Sequence, residues 1–106
     1  MVRVPTHREP THPGEILLEE FLEPLQLTQT ELANEIGVPF QRINDLVNGR
    51  RGITTDTALR LARYFNTTPD FWLNFQRRWD IYHTQNKNSD EIDKIKPREL
   101  KKVSSF

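Results

Sequence analysis

The stretch QTELANEIGVPFQRINDLVN, residues 29–48, decides the fold of this chain of 106 residues. Apolar side chains recur at helical spacing in its first half and again in its second half, which predicts two short amphipathic helices. The apolar positions are Leu32, Ala33 and Ile36 in the first helix, and Ile43, Leu46 and Val47 in the second. Gly37 lies between them, where a chain that leaves a helix often needs a positive φ. The pattern therefore predicts two helices joined by a tight corner at Gly37.

Two short helices joined in this way form a helix-turn-helix, whose second helix enters the major groove of DNA. We therefore predict that Phe40 to Val47 is a recognition helix. Gln41 and Asn44 carry amides that can pair with adenine, and Phe40 can contact the methyl group of thymine. Asp45 would repel phosphates, so it is either an acceptor for the amino group of cytosine or the partner of a neighbouring arginine. The predicted base contacts are Phe40, Gln41 and Asn44.

The residues that flank the recognition helix are predicted to meet the DNA backbone. Thr28 and Glu31 match a capping box, which places the first N–H groups of a helix near a phosphate. Gln29, next to the cap, can reach a phosphate or brace the recognition helix. Arg42 points sideways from that helix, and a turn that begins at Asn48 carries two arginines. The predicted backbone contacts are Thr28, Gln29, Arg42, Asn48, Arg50 and Arg51.

The charge of the chain sums to zero but is unevenly distributed. Residues 1–38 contain two arginines and seven glutamates, whereas residues 39–63 contain five arginines and two aspartates. The positive region coincides with the predicted recognition helix and the loop after it, where phosphates have to be met. Ordinary solvated charge explains the acidic part but explains this coincidence less well, so the distribution supports the double-stranded DNA partner that the helix-turn-helix predicts.

The remaining apolar positions predict three further helices, so that the chain forms one small all-α domain. A first helix begins at Pro13 and is stopped by Pro24, and a fourth is capped by Thr54 and closed by Asn66. A fifth, aromatic helix spans residues 69–83. The chain is thereby divided into an N-terminal arm (1–11), a helix-turn-helix domain (12–84) and a polar C-terminal tail (85–106).

The fifth helix carries more aromatic side chains than one buried stripe requires. We expect part of this surface to pack on the domain. The rest, around Trp72, Phe75 and Trp79, is predicted to be a self-association face, because large exposed aromatic patches tend to be interfaces. A homodimer also suits a helix-turn-helix that binds two half-sites. The alternative is a single thick core without an interface.

The composition excludes several classes of site. The chain has no cysteine, so it holds neither a disulfide nor a cysteine-based metal site or nucleophile. His7, Glu9 and His12 are interpreted as solvated residues near the N-terminus rather than as metal ligands. No acid–base constellation is recognisable, so the sequence predicts no enzyme, cofactor, metal or small-molecule substrate. Without a membrane-spanning run or a signal peptide, the chain is expected in the cytoplasm.

Four segments resemble the HigA antitoxins, a branch of the Xre/Cro-type helix-turn-helix proteins that is also labelled virulence-associated protein I. The segments are HPGEIL, VNGRRGIT, TALRLARYF and TPDFWLN, and the similarity extends from His12 to about Ile81. The resemblance implies a five-helix lambda-repressor-like (Xre/Cro) DNA-binding domain with flexible N- and C-terminal tails. It also implies that the residues facing DNA are Gln29, Phe40, Gln41, Arg42 and Asn44.

The same resemblance implies a function. A HigA-type protein is a dimeric antitoxin of a type II toxin–antitoxin module, which binds and neutralises a HigB-like toxin and represses its own operon. The toxin is a ribonuclease that cleaves mRNA. The alternative is a stand-alone Xre-type repressor of the phage kind, without a toxin partner. A short reading frame for a basic, toxin-like protein beside the gene would favour the antitoxin.

Overall fold

Five helices make up the computed structural model, which describes residues 8–99 and contains no strand in that range. Helix α1 combines Pro13–Ile16, a π-helical stretch at Leu17–Leu22, and Glu23–Leu25. The helices that follow are α2 (Gln29–Ile36), α3 (Phe40–Val47), α4 (Thr55–Phe65) and α5 (Pro69–Asp93). The predicted all-α, five-helix fold is thus confirmed. Residues 1–7 of the predicted arm and 100–106 of the predicted tail lie outside the described residues.

The ends of the helices follow the capping signals in the sequence. The Thr28 hydroxyl accepts a hydrogen bond from the backbone N–H of Glu31 at 3.0 Å, and the Glu31 carboxylate accepts one from the N–H of Thr28 at 2.9 Å. Gly37 ends α2 with a φ of +74°, and Asn66 ends α4 with a φ of +57°. The predicted capping box, the corner at Gly37 and the left-handed cap at Asn66 are therefore confirmed.

Helix α1 does not stop at Pro24, and that prediction is wrong. In the π-helical stretch the Glu23 N–H donates to the Leu18 carbonyl, one residue further back than in an α-helix. Such a shift leaves a carbonyl without its usual donor, which matches a following proline that has no N–H to give. The helix ends one residue later, at Leu25, where Gln26 adopts a φ of +52°.

The core lies between α1, the two helices of the helix-turn-helix, α4 and the start of α5. Its largest fully buried side chain is Trp72, whose indole N–H donates to the Thr67 hydroxyl at 2.8 Å. The prediction that Trp72 lies on a self-association face is therefore wrong, because the indole is needed to fill the protomer's own core. Phe75 and Trp79, further along α5, are half-buried.

Helix α5 is longer than the sequence pattern predicts. It continues past His83 to Asp93, so the first residues of the predicted polar tail are helical. Asn88 interrupts it with φ of −116° and ψ of 20°, outside the helical region. Within residues 8–99, no helix is both long and apolar enough to cross a membrane.

Two glycines allow close approaches that position α3 and the loop after it. A Cβ added at Gly14 would lie 1.7 Å from the carbonyl oxygen of Leu46, so the start of α1 packs directly on the backbone of α3. A Cβ added at Gly52 would lie 2.7 Å from the side-chain amide of Gln76 on α5. Residues 48–54, the α3–α4 loop, are thereby held against α5.

Candidate nucleic-acid interface

Helix α3 buries its apolar side and turns a polar side outwards. We call this outward side, which carries Phe40, Gln41, Asn44 and Asp45, the reading face. Phe40 is 46% exposed, Gln41 is exposed and Asn44 is half-buried. The three predicted base contacts therefore share one accessible surface. Their contact with bases stays a prediction.

Gln29 braces the reading face from α2. Its side-chain carbonyl accepts a hydrogen bond from Asn44 Nδ2 at 3.0 Å. Asn44 Oδ1 in turn accepts from Arg50 Nη2 at 3.1 Å. Both ends of the Asn44 amide are thus occupied, which fixes its orientation. Of the two alternatives for Gln29, bracing is the one present in the free protein, and its contact with phosphate stays untested.

Asp45 lies at the centre of the other half of this network. Its Oδ1 accepts hydrogen bonds from Gln41 Nε2 at 2.7 Å and from Arg50 Nε at 3.3 Å. The hydrogen bond from Gln41, and then the Arg50 guanidinium, hold the pKa of the Asp45 carboxyl below its usual value. Asp45 is therefore the partner of a neighbouring arginine, one of the two alternatives that the sequence leaves open.

Arg42 is anchored to α4. Its Nη1 lies 3.3 Å from the Asp56 carboxylate, which also accepts from Arg60 Nε at 2.9 Å. Arg60 Nη1 donates to the Ile36 carbonyl at 2.7 Å and so binds the end of α2. Arg42 Nε is buried and has no hydrogen-bond partner. The side chain of Arg42 is 29% exposed, so only the accessible part of its guanidinium is available for the predicted phosphate contact.

The α3–α4 loop presents the remaining predicted backbone contacts. Asn48 Nδ2 donates to the Asn44 carbonyl at 2.9 Å, which closes the end of α3. Arg50 and Arg51 follow and are exposed. The Ile53 N–H donates to Gln76 Oε1 at 2.7 Å, so that α5 fixes the far end of the loop. At the other end of the surface, Thr28 is exposed although its hydroxyl caps α2.

Three structural roles were missed by reasoning from the sequence: those of Gln76, of Asp56 with Arg60, and of His12. Gln76 and Asp56 act across elements, and no local pattern marks them. His12 is buried rather than solvated, because its Nδ1 accepts from the Gly14 N–H at 2.9 Å and its ring packs edge-on against Trp79 at 4.8 Å. Its place directly before Pro13 at a helix start was the available signal.

Glu9 and His83 form a second contact at this end of the domain, with Glu9 Oε2 2.9 Å from His83 Nε2. Glu9 is therefore paired as well as exposed, and His7 lies outside the described residues. In the part of the chain that the structure describes, no three histidine or acidic side chains converge on a point where a metal ion could bind.

Comparison with known proteins places this geometry in a family. The profile of the helix-turn-helix family matches residues 18–72. The Escherichia coli HTH-type transcriptional regulator YbaQ is 44% identical over 90 residues, which are 83% of this chain and 80% of YbaQ. The Vibrio cholerae antitoxin HigA-1 is 39% identical over 92 residues, 87% of each chain.

A solved structure of an antitoxin has the same fold as this chain. The Pseudomonas aeruginosa antitoxin HigA with the higBA promoter has a TM-score of 0.80 and 39% sequence identity, covering 84% of this chain and 98% of its own. The fold and the matching profile define the class as a helix-turn-helix DNA-binding protein, a class of regulators and antitoxins rather than of enzymes. Within that class, the chain belongs to the HigA antitoxin family.

Proposed function

We propose that this protein is a sequence-specific DNA-binding antitoxin of a type II toxin–antitoxin module. The protein acts in the cytoplasm. As a homodimer it binds operator DNA through the reading face and represses its own operon. It also binds a HigB-like ribonuclease toxin and neutralises it. No cofactor or small-molecule substrate takes part in this function.

One observation carries the proposal. A hydrogen-bonded network on and beside the outward side of α3 joins Gln29, Gln41, Asn44, Asp45 and Arg50. The chain is 39% identical to an antitoxin that was solved with promoter DNA. Amide groups held in place by such a network suit the reading of base edges, which requires donors and acceptors in fixed positions. The toxin partner is supported by the family alone.

The DNA part of the proposal is tested with the region upstream of the gene. Fluorescence anisotropy should give tighter binding to a duplex from that region than to a scrambled duplex of the same length and composition. Gln41→Ala should reduce this preference about 5- to 150-fold, since a good bidentate base contact contributes roughly 1–3 kcal/mol of discrimination. Thr30→Ala, an exposed position on α2, is the matched control. Equal binding of both duplexes by the wild type contradicts sequence-specific repression.

The antitoxin part is tested by co-expression with the short reading frame beside the gene. We expect this frame alone to arrest growth, and the protein described here to restore growth and to co-purify with its product. Gln41→Ala tests whether the toxin uses the same surface: growth that this variant still restores assigns the reading face to DNA alone. Growth arrest that persists in the presence of the wild-type protein contradicts neutralisation.

The second candidate is a stand-alone transcriptional repressor. It is favoured by the 44% identity to YbaQ, which is named as an uncharacterised HTH-type transcriptional regulator. In that case the upstream duplex binds as predicted, and no neighbouring frame arrests growth. The two experiments together therefore separate the candidates.

A further inference from the structure

The reading face carries a carboxylate at a place where the partner is a polyanion. The side chain of Asp45 is 21% exposed and that of its ion-pair partner Arg50 is 59% exposed. An isolated carboxylate here would weaken binding to every DNA alike, because it repels phosphates regardless of sequence. The two groups that Asp45 holds, Gln41 and Arg50, give it a sequence-dependent effect.

We propose that Asp45 is a specificity-determining residue, which orients the Gln41 amide towards one base pattern and restrains Arg50 from the phosphates of unselected DNA. This inference rests on the proposed function, since it presupposes an operator. It adds to that function by naming a residue that suppresses binding to the wrong DNA.

The first half of the inference concerns the amide of Gln41. A terminal amide offers two N–H donors and one carbonyl acceptor. One N–H of Gln41 is committed to Asp45 at 2.7 Å, so the other N–H and the carbonyl stay available as a donor–acceptor pair. Such a pair matches N7 and the 6-amino group of adenine. Without Asp45, the last torsion of the side chain has two nearly equivalent positions, and the donor and acceptor exchange places.

The second half concerns Arg50. Its Nε lies 3.3 Å from Asp45 Oδ1, and its Nη2 donates to Asn44 Oδ1 at 3.1 Å. When Arg50 swings away from α3 towards a phosphate, it leaves Asp45, which is then an uncompensated carboxylate beside DNA. Non-specific binding depends on neutralised phosphates, so this restraint lowers it directly. On the operator, base contacts offset the missing phosphate contact of Arg50.

Two variants of the full-length protein separate these effects. Asp45→Asn removes the charge but keeps an oxygen acceptor for Gln41, whereas Asp45→Ala removes both. Binding to the upstream duplex and to its scrambled counterpart is measured over a range of salt concentrations. We expect both variants to bind the scrambled duplex more tightly and with a salt slope steeper by about 0.9, the value for one additional phosphate contact. Asp45→Asn should lose preference for the upstream duplex only through its tighter binding to the scrambled duplex, whereas Asp45→Ala should lose about 5- to 150-fold more, because Gln41 is no longer oriented.

The control is Glu19→Gln, which removes the same charge from an exposed position on α1. It should change neither the salt slope nor the preference. If Asp45→Ala keeps the wild-type preference and slope, the inference is overturned while the proposed function stands. If the wild type itself has no preference for the upstream duplex, both are overturned. Should Asp45→Ala fail to fold by circular dichroism, an unchanged slope for Asp45→Asn on the scrambled duplex overturns the inference instead.

Discussion

His12 ties the start of the first helix to the middle of the last one. Its Nδ1 can accept the hydrogen bond from the Gly14 N–H only while it carries no proton. Burial lowers the pKa of the imidazole, and the nearby carboxylates of Asp80 and Glu15 oppose this effect. The hydrogen bond that caps the first helix is therefore lost when His12 takes up a proton.

The stability of the domain should therefore depend on pH. The folded pKa of His12 lies below the ordinary value of about 6.5, so the unfolded chain takes up the proton first as pH falls. The free energy of unfolding should be larger at pH 7.5 than at pH 5.5. His12→Asn keeps an acceptor suited to an N-cap but does not titrate, so its pH dependence should be shallower. Urea unfolding at the two pH values measures both.

His83 needs a control, because it is a second histidine at this end of the domain and contacts Glu9 and Trp79. His83→Gln removes that imidazole, which contributes to lowering the pKa of His12, and leaves His12 in place. We expect the difference between pH 7.5 and pH 5.5 to persist in this variant. A difference that is the same in His12→Asn as in the wild type would show that His12 is not its source.

The α3–α4 loop works as a unit fixed at both ends. Asn48 closes it onto α3, and Gln76 holds the Ile53 N–H from α5. Between these anchors the two arginines differ in their surroundings. Arg50 is engaged by Asp45 and Asn44, whereas the side chain of Arg51 is exposed and, within residues 8–99, makes no hydrogen bond or ion pair.

Arg51 is accordingly the better candidate for a phosphate contact. Arg51→Ala should weaken binding to the upstream and the scrambled duplex by the same factor, because phosphates carry no sequence information. The salt slope should become shallower by about 0.9 on both. Anisotropy titrations at several salt concentrations measure it. Arg78→Ala, an exposed arginine on α5, should leave the slope unchanged. A wild-type slope in Arg51→Ala would remove Arg51 from the interface.

Local signals explain which parts of the fold and of the candidate site could be predicted from the sequence. Thr28, Gly37 and Asn66 act on the backbone within a few residues, so their caps are readable from the sequence. The outward position of Gln41 and Asn44 follows from helical spacing. Gln76 and Ile53 are 23 residues apart, and the bond between them depends on how two helices pack. Such non-local contacts leave no periodic trace. The pairing of Asn44 with Arg50 was not predicted either, because it depends on the path of the turn after α3.

Across the whole molecule, α5 joins the core, the N-terminal segment and the α3–α4 loop. Trp72 fills the core, Gln76 holds the loop, and Trp79 covers His12. The many aromatic residues of this helix therefore indicate an internal framework as well as the predicted self-association face. A periodic pattern cannot separate the two, because both place large apolar residues on the same helix.

Phe75 is the residue that best separates a dimer interface from this framework. It is half-buried and packs edge-on against Phe71 at 5.2 Å, whereas Trp79 contacts His12, so that changing Trp79 would also disturb a helix cap. If a second copy covers Phe75, Phe75→Glu should convert a dimer into a monomer that keeps its helical content. Sedimentation equilibrium measures the mass, and circular dichroism measures the fold.

The same change should affect DNA binding in a way that depends on the length of the duplex. A dimer holds two half-sites about one helical turn apart, so its affinity for a full operator combines two binding events. Phe75→Glu should weaken binding to the full operator and leave binding to a single half-site unchanged. Ile81→Glu, at a position of α5 that is 50% exposed, is the control for added charge. A Phe75→Glu protein that still sediments as a dimer would place the interface elsewhere on the molecule.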